Sequence, residues 1–108
     1  MPAGELDRRI VLQRAIPVAD LHNELVKTWT DLAVRWAKVT PISDGERIRM
    51  AEVSAEITTR FMVRHSTSIA DLNPKDRILY ESRIYDIWGV KEIGRRKFLE
   101  ISATARAD

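Results

Sequence analysis

The chain of 108 residues has no cysteine. That excludes a disulfide framework and any zinc site built on thiolates. It also speaks against a small secreted scaffold that depends on covalent staples. Histidine is nearly as scarce, with two residues far apart in the chain, His22 and His65. His22-Asn23-Glu24 offers two donors and no third, so no metal site is expected. His65 ends an apolar strand face and reads as a partly buried, hydrogen-bonded residue. The four glycines stand singly, so there is no Gly-rich phosphate loop, and no Gly-x-Ser-x-Gly elbow occurs. Acidic pairs such as Glu81 and Asp86 lie in hairpin contexts and read as solvated surface. No catalytic residue and no cofactor is expected, and the chain does not read as an enzyme. Long apolar runs are lacking too, so no segment is expected to cross a membrane. Glu5 and Asp7 lie beside Arg8 and Arg9 with no apolar stretch nearby, which does not read as a signal peptide. The expectation is a protein that stays in the compartment where it is made.

What is present is ordinary globular composition, 44% apolar and 31% charged. A chain of this size reads as one domain, residues 1–108. Eighteen basic and sixteen acidic residues leave a net charge of +2, too small to argue nucleic-acid binding despite a pI of about 9.2. Arg8-Arg9, Arg47 with Arg49, and Arg95-Arg96-Lys97 are basic clusters. Each has acidic neighbours, and no recognition helix accompanies them.

Period-2 patterning dominates. Leu6 to Arg14 reads as a strand with Leu6, Ile10 and Leu12 on one face. Ala15 to Glu24, with Pro17, Asp20 and Asn23, has no clear period and reads as a loop or hairpin connection. Leu25–Thr30 and Leu32–Thr40 read as two strands, the second stopped by Pro41. Ile57–Ser66 alternates most clearly. Asn73-Pro74-Lys75-Asp76 is a turn. Arg77–Tyr80 and Ile84–Val90 form a hairpin through Glu81-Ser82-Arg83, and Lys97–Thr104 closes the series. The fold expected is all-β, a small barrel of about seven short antiparallel strands.

One interruption stands apart, at about residues 41–56. Asp44 to Glu56 is rich in helix formers, with Ser43 or Asp44 able to cap it. Its apolar stripes are narrow, so a weakly amphipathic helix or a mobile loop is expected.

The expected core comprises Leu6, Ile10, Leu12, Trp29, Trp36, Val39, Phe61, Val63, Ile78, Tyr85 and Ile87. Core packing is the default for an indole. Trp88 reads instead as an interface anchor, because Ile87 and Val90 beside it already supply core.

Taken in order, these marks resemble the bacteriophage head–tail joining family, also called head-closure, stopper or head–tail adaptor proteins. The residues that carry the resemblance are Leu6 to Ile10, Trp29, Trp36-Ala37-Lys38-Val39, Gly45-Glu46, Arg64-His65, Arg77-Ile78 and Tyr85 to Gly89. The family's usual Arg-Tyr is Arg64-His65 here, and His22-Asn23-Glu24 takes the place of a glycine often found in the first connection. The resemblance implies a small β-barrel whose copies form a ring at the neck of a virion, of six or twelve subunits. Such a ring closes the DNA-filled head, joins it to the tail, and contacts packaged duplex DNA non-specifically. Its implied partners are the portal or adaptor protein on one side and the tail terminator or tail protein on the other. The segment 41–56 corresponds to a loop that projects toward the channel and the neighbouring subunits, with Asp44, Gly45, Glu46, Arg47, Arg49, Met50 and Glu52 as its candidate residues. Two other readings fit the same strands: a tail-terminator or other neck or tail ring component, and a small nucleic-acid-binding barrel. The latter calls for exposed aromatics interleaved with basic residues, and Phe61 with Arg60 and Arg64 is its one sequence hint.

Overall fold

The computed structural model describes residues 5–42 and 58–106. Six strands are present among them: β1 (Arg8–Ala19), β2 (Leu25–Pro41), β3 (Thr59–Arg64), β4 (Arg77–Tyr80), β5 (Arg83–Ile93) and β6 (Phe98–Ala105). All pair antiparallel, in the order β1-β2-β3-β6-β5-β4, and β4 pairs back onto β1 to close a barrel. Closure leaves the barrel no open sheet edge.

The expected barrel is therefore there, with two strands fused. Leu25–Thr30 and Leu32–Thr40 are one strand. The register shifts once in its pairing with β1, where Leu12 faces Ala33 but Gln13 faces Asp31. Leu32 is the extra residue of a β-bulge at that point. It moves the inward positions of β2 from Ala33, Ala37 and Val39 to Thr30, Thr28 and Val26. A period-2 reading breaks at the same place. A second bulge sits in β5, where Ile87 faces Ala103 and Gly89 faces Ser102, leaving Trp88 unpaired.

The interior is filled by alternate residues of every strand. Ile10, Leu12, Ala37, Phe61, Val63, Ile78, Ile101 and Ala103 are fully buried, with Tyr85, Ile87 and Leu99 nearly so. Leu6 is buried at the N-terminal rim, and Val39 packs half-buried against the core. The rings of Phe61, Tyr80 and Tyr85 form the centre, Phe61 meeting Tyr85 edge-on at 5.1 Å and Tyr80 at 5.8 Å. Burial pushes the Tyr80 phenol upward, aided by Glu81 beside it.

Segment 65–76 plugs one end. Successive turns, Ile69 N–H to Ser66 C=O and Leu72 N–H to Ile69 C=O, turn Ile69 and Leu72 into the core. Arg35 ties the plug down by donating to Ser68 Oγ at 2.9 Å. The β4–β5 connection is a two-residue turn with Glu81 at φ 51° and Ser82 at φ 63°. That is the primed geometry whose twist matches a hairpin.

Two tryptophans expected in the core are not there. Trp36 is 51% exposed, because its neighbour Ala37 takes the inward position of β2. Trp29 is half-buried on the outer side, stacked against Arg77 with the guanidinium 4.0 Å from the ring centre.

Candidate assembly surface

Beyond Gln13, β1 loses β4 as a neighbour, and before Ala37, β2 has no β3. Arg14–Ala19 and Leu25–Thr30 therefore pair with each other alone among the described residues, forming a ribbon that leaves the barrel. This segment includes Ala15–Ala19, part of the Ala15–Glu24 stretch expected to be a loop or hairpin connection. Pro17 is tolerated because a ribbon has free edges. Residues 20–24 turn the ribbon. The Asp20 carboxylate accepts from the His22 and Glu24 N–H groups at 2.8 and 2.9 Å, and Asn23 takes the left-handed conformation at φ 65°.

The ribbon is fixed at its base by charge. Arg14 donates from Nε and Nη2 to both carboxylate oxygens of Asp76, each at 2.9 Å, and from Nη1 to Asp71 at 3.1 Å. The Asp76 side chain is 2% exposed, and it also accepts from the Asn73 N–H. Bidentate geometry of this kind makes a strong pair. Asp76 and Asp71 raise the Arg14 pKa, so it stays charged at any ordinary pH, and Arg14 holds the Asp71 carboxyl below its usual range. A cleft opens here between the ribbon and the plug, lined by Lys27, Trp29, Asn73 and Lys75 among others.

Two rows cross the outer wall of the barrel. The first is polar: Asp31 accepts from Gln13, Gln13 accepts from Arg77 Nε at 2.7 Å, and Arg77 lies opposite Asp86. Arg106 closes this row with a two-pronged bond to Asp86. Burial lowers the Arg77 pKa, and the Arg106 charge adds to the effect. The second row is apolar. Val34 faces Val11, Val11 faces Leu79 and Leu79 faces Ile84 across four strands. Trp36 extends it at one edge, with the Arg9 guanidinium 4.9 Å from its ring centre. Val34 is 43% exposed.

Apart from Trp88, the remaining large exposed apolar side chains among the described residues lie on the ribbon. Ile16, Val18 and Val26 share the face that continues the barrel interior, and Leu25 and Leu21 lie at the tip. Leu21 is wholly exposed. Trp88, the expected interface anchor, is 39% exposed, on the outward position that follows inward-facing Ile87.

The expected channel residues Asp44, Gly45, Glu46, Arg47, Arg49, Met50 and Glu52 lie outside the described residues. The flanking residues are described: the Ile42 N–H donates to the Thr58 C=O at 2.9 Å. Among the described residues no three of His, Asp and Glu come together in a way that could hold a metal. His65 lies 3.8 Å from Glu92, and its N–H donates to the Lys97 C=O. Of the basic clusters, Arg8 lies 3.9 Å from Glu81, and the Arg96 N–H donates to Glu92. Phe61, the one hint of a base-stacking surface, is fully buried and cannot stack a base. Sequence reasoning missed the ribbon, the Arg14–Asp76 pair and the two outer rows. The pair had a signal in the Asn73-Pro74-Lys75-Asp76 turn, which fixes an aspartate at the start of β4.

Known proteins place these surfaces in context. No curated protein matches the sequence. In solved structures, the solution structure of protein SF1141 from Shigella flexneri 2a is similar, with 28% identity and a TM-score of 0.81. That likeness covers 100% of this chain and 99% of that one. A chain in the virion of a native gene transfer agent particle shares the fold, with 24% identity, a TM-score of 0.60, and 94% and 96% of the two chains covered. Residues 1–106 match the family described as phage head completion protein. The chain therefore belongs to the phage head completion protein family.

Proposed function

We propose that this chain is a non-catalytic subunit of a ring at the virion neck, which closes the DNA-filled head and joins it to the tail. The observation that carries the reading is the family match over residues 1–106. Supporting it, the core of the barrel is filled while apolar side chains remain on its outside, as suits a part that is completed by assembly. Six or twelve copies would meet the portal or adaptor on the head side and a tail protein on the other. The Asp44–Glu52 residues would line the passage. Their mixed charge would let duplex DNA pass without gripping it.

The test is electron microscopy of particles produced after deletion of the gene. DNA-leaking or tailless heads beside finished tails are expected. Normal tailed particles would overturn the reading, and full heads beside tails of aberrant length would assign the protein to tail termination instead.

A further inference from the structure

The molecule carries two unlike apolar surfaces. One is the ribbon face of Ile16, Val18 and Val26, which projects from the barrel. The other is the outer row Val34–Val11–Leu79–Ile84 with Trp36 on the barrel wall. A ring of identical copies needs two different surfaces that fit each other, because its interface is heterologous. A two-stranded ribbon is marginal by itself in water, and packing on another surface stabilises it.

Charge agrees with such a pairing. The ribbon tip carries Asp20 and Glu24, with Lys27 behind them. The Trp36 end of the row carries Arg9, whose guanidinium is stacked on the indole. Aromatic and arginine side chains at the centre of an apolar patch are the usual anchors of an interface.

We propose that the Arg14–Thr30 ribbon of one copy seats its Ile16/Val18/Val26 face on the Val34/Trp36/Val11 row of the next copy. The occupant of each surface is a second copy of this chain. Arg14, clamped by Asp76 and Asp71, fixes the ribbon at its root, so it docks as a preset arm. The proposal rests on the ring reading above and names the contact that builds the ring.

The absence of native cysteine makes the test clean. Val18→Cys and Val34→Cys are introduced singly and together, and a short bis-maleimide is added to particles and to the purified chain at high concentration. The double variant is expected to give a ladder of multimers. A mixture of the two single variants should give a dimer band at least tenfold stronger than either variant alone. Strong dimers from Val18→Cys alone would mean an arm-to-arm contact and overturn the proposal. So would a Val18→Cys link to a different virion protein, identified by mass spectrometry. Particles that contain the chain yet give no ladder would overturn the proposal and leave the neck role standing. A ladder from the purified chain, with none of it in particles, would uphold the contact and remove the neck role. No ladder from the purified chain and none of the chain in particles would overturn both.

Discussion

β1 and β2 belong to two different environments along one continuous pairing. On β1 the residues Ile10, Leu12, Arg14, Ile16 and Val18 share a face. Ile10 and Leu12 are fully buried, whereas Ile16 and Val18 are 44% and 48% exposed. Backbone pairing runs through both halves, with one register shift where they meet, at Leu12/Gln13. What differs is the closure of β3, β4, β5 and β6 over the barrel half alone. Hydrophobic stabilisation follows the area removed from water, so the same pattern stabilises the fold in one half and leaves a surface in the other.

The sharpest way to break this comparison is to truncate matched positions in the two halves. Phe61→Ala empties the centre of the barrel and should cost about 3–5 kcal/mol, enough to unfold much of the population of a domain this size. Val18→Ser with Val26→Ser in the arm should change stability by less than about 0.5 kcal/mol, as ordinary surface substitutions do. Urea denaturation followed by circular dichroism reads both. A large loss from the arm pair would mean that the arm is part of the folding core.

The junction between the halves comes next. Asp76→Ala removes the buried partner of Arg14, leaving it with Asp71. A loss of about 2–3 kcal/mol is expected, together with lowered hydrogen-exchange protection across Arg14–Ala19. Full arm protection in that variant would show that the ribbon holds itself.

A smaller effect appears with acid. The Asp71 carboxyl is held below its ordinary value by the hydrogen bond and charge of Arg14. Its contribution is complete above the unfolded value and fades as pH falls through the lower folded one. Carboxyl NMR should find Asp71 titrating below a free aspartate, and Arg14→Gln should return it to the ordinary range. An unchanged titration would remove Arg14 as the cause.

The smallest change sharpens the barrel side. Glu81 and Ser82 both occupy positive φ, which Asn-Gly adopts at lower cost. Glu81→Asn with Ser82→Gly should stabilise by about 1 kcal/mol. The lost Glu81–Arg8 contact, at 3.9 Å on the surface, matters little. A fall in melting temperature would refute the turn assignment.

The same contrast explains what was legible in the sequence. β3, β4 and β6 could be read directly, since each has one face in the core and an unbroken alternation from end to end. The Glu81–Ser82 hairpin was legible from the two strands around it. The arm was not legible as long strands, because neither of its faces is buried and Ala15–Glu24, with Pro17, Asp20 and Asn23, has no clear period. Both bulges were invisible for another reason: the pairing partner creates the extra residue at Leu32 and at Trp88, and no local sequence pattern records it. Trp36 misled because size and hydrophobicity favour the interior, while the phase fixed by Ala37 turns it outward. Ile69 and Leu72 reach the core from a turn-rich segment without period. Among the exposed apolar side chains, Trp88 is one that the sequence singles out. The apolar row was not legible, because it exists only when four strands lie in register.

The bulge at Leu32 has a geometric meaning for any closed assembly. An extra residue bends its strand and adds twist, so the bulge helps set the direction in which the arm leaves the barrel. If each arm rests on the wall of the next copy, that direction becomes the rotation relating successive copies. A ring closes when this rotation divides a full turn. The curvature of the whole would then be written at one residue of β2, and removing it would open a circle into a helix.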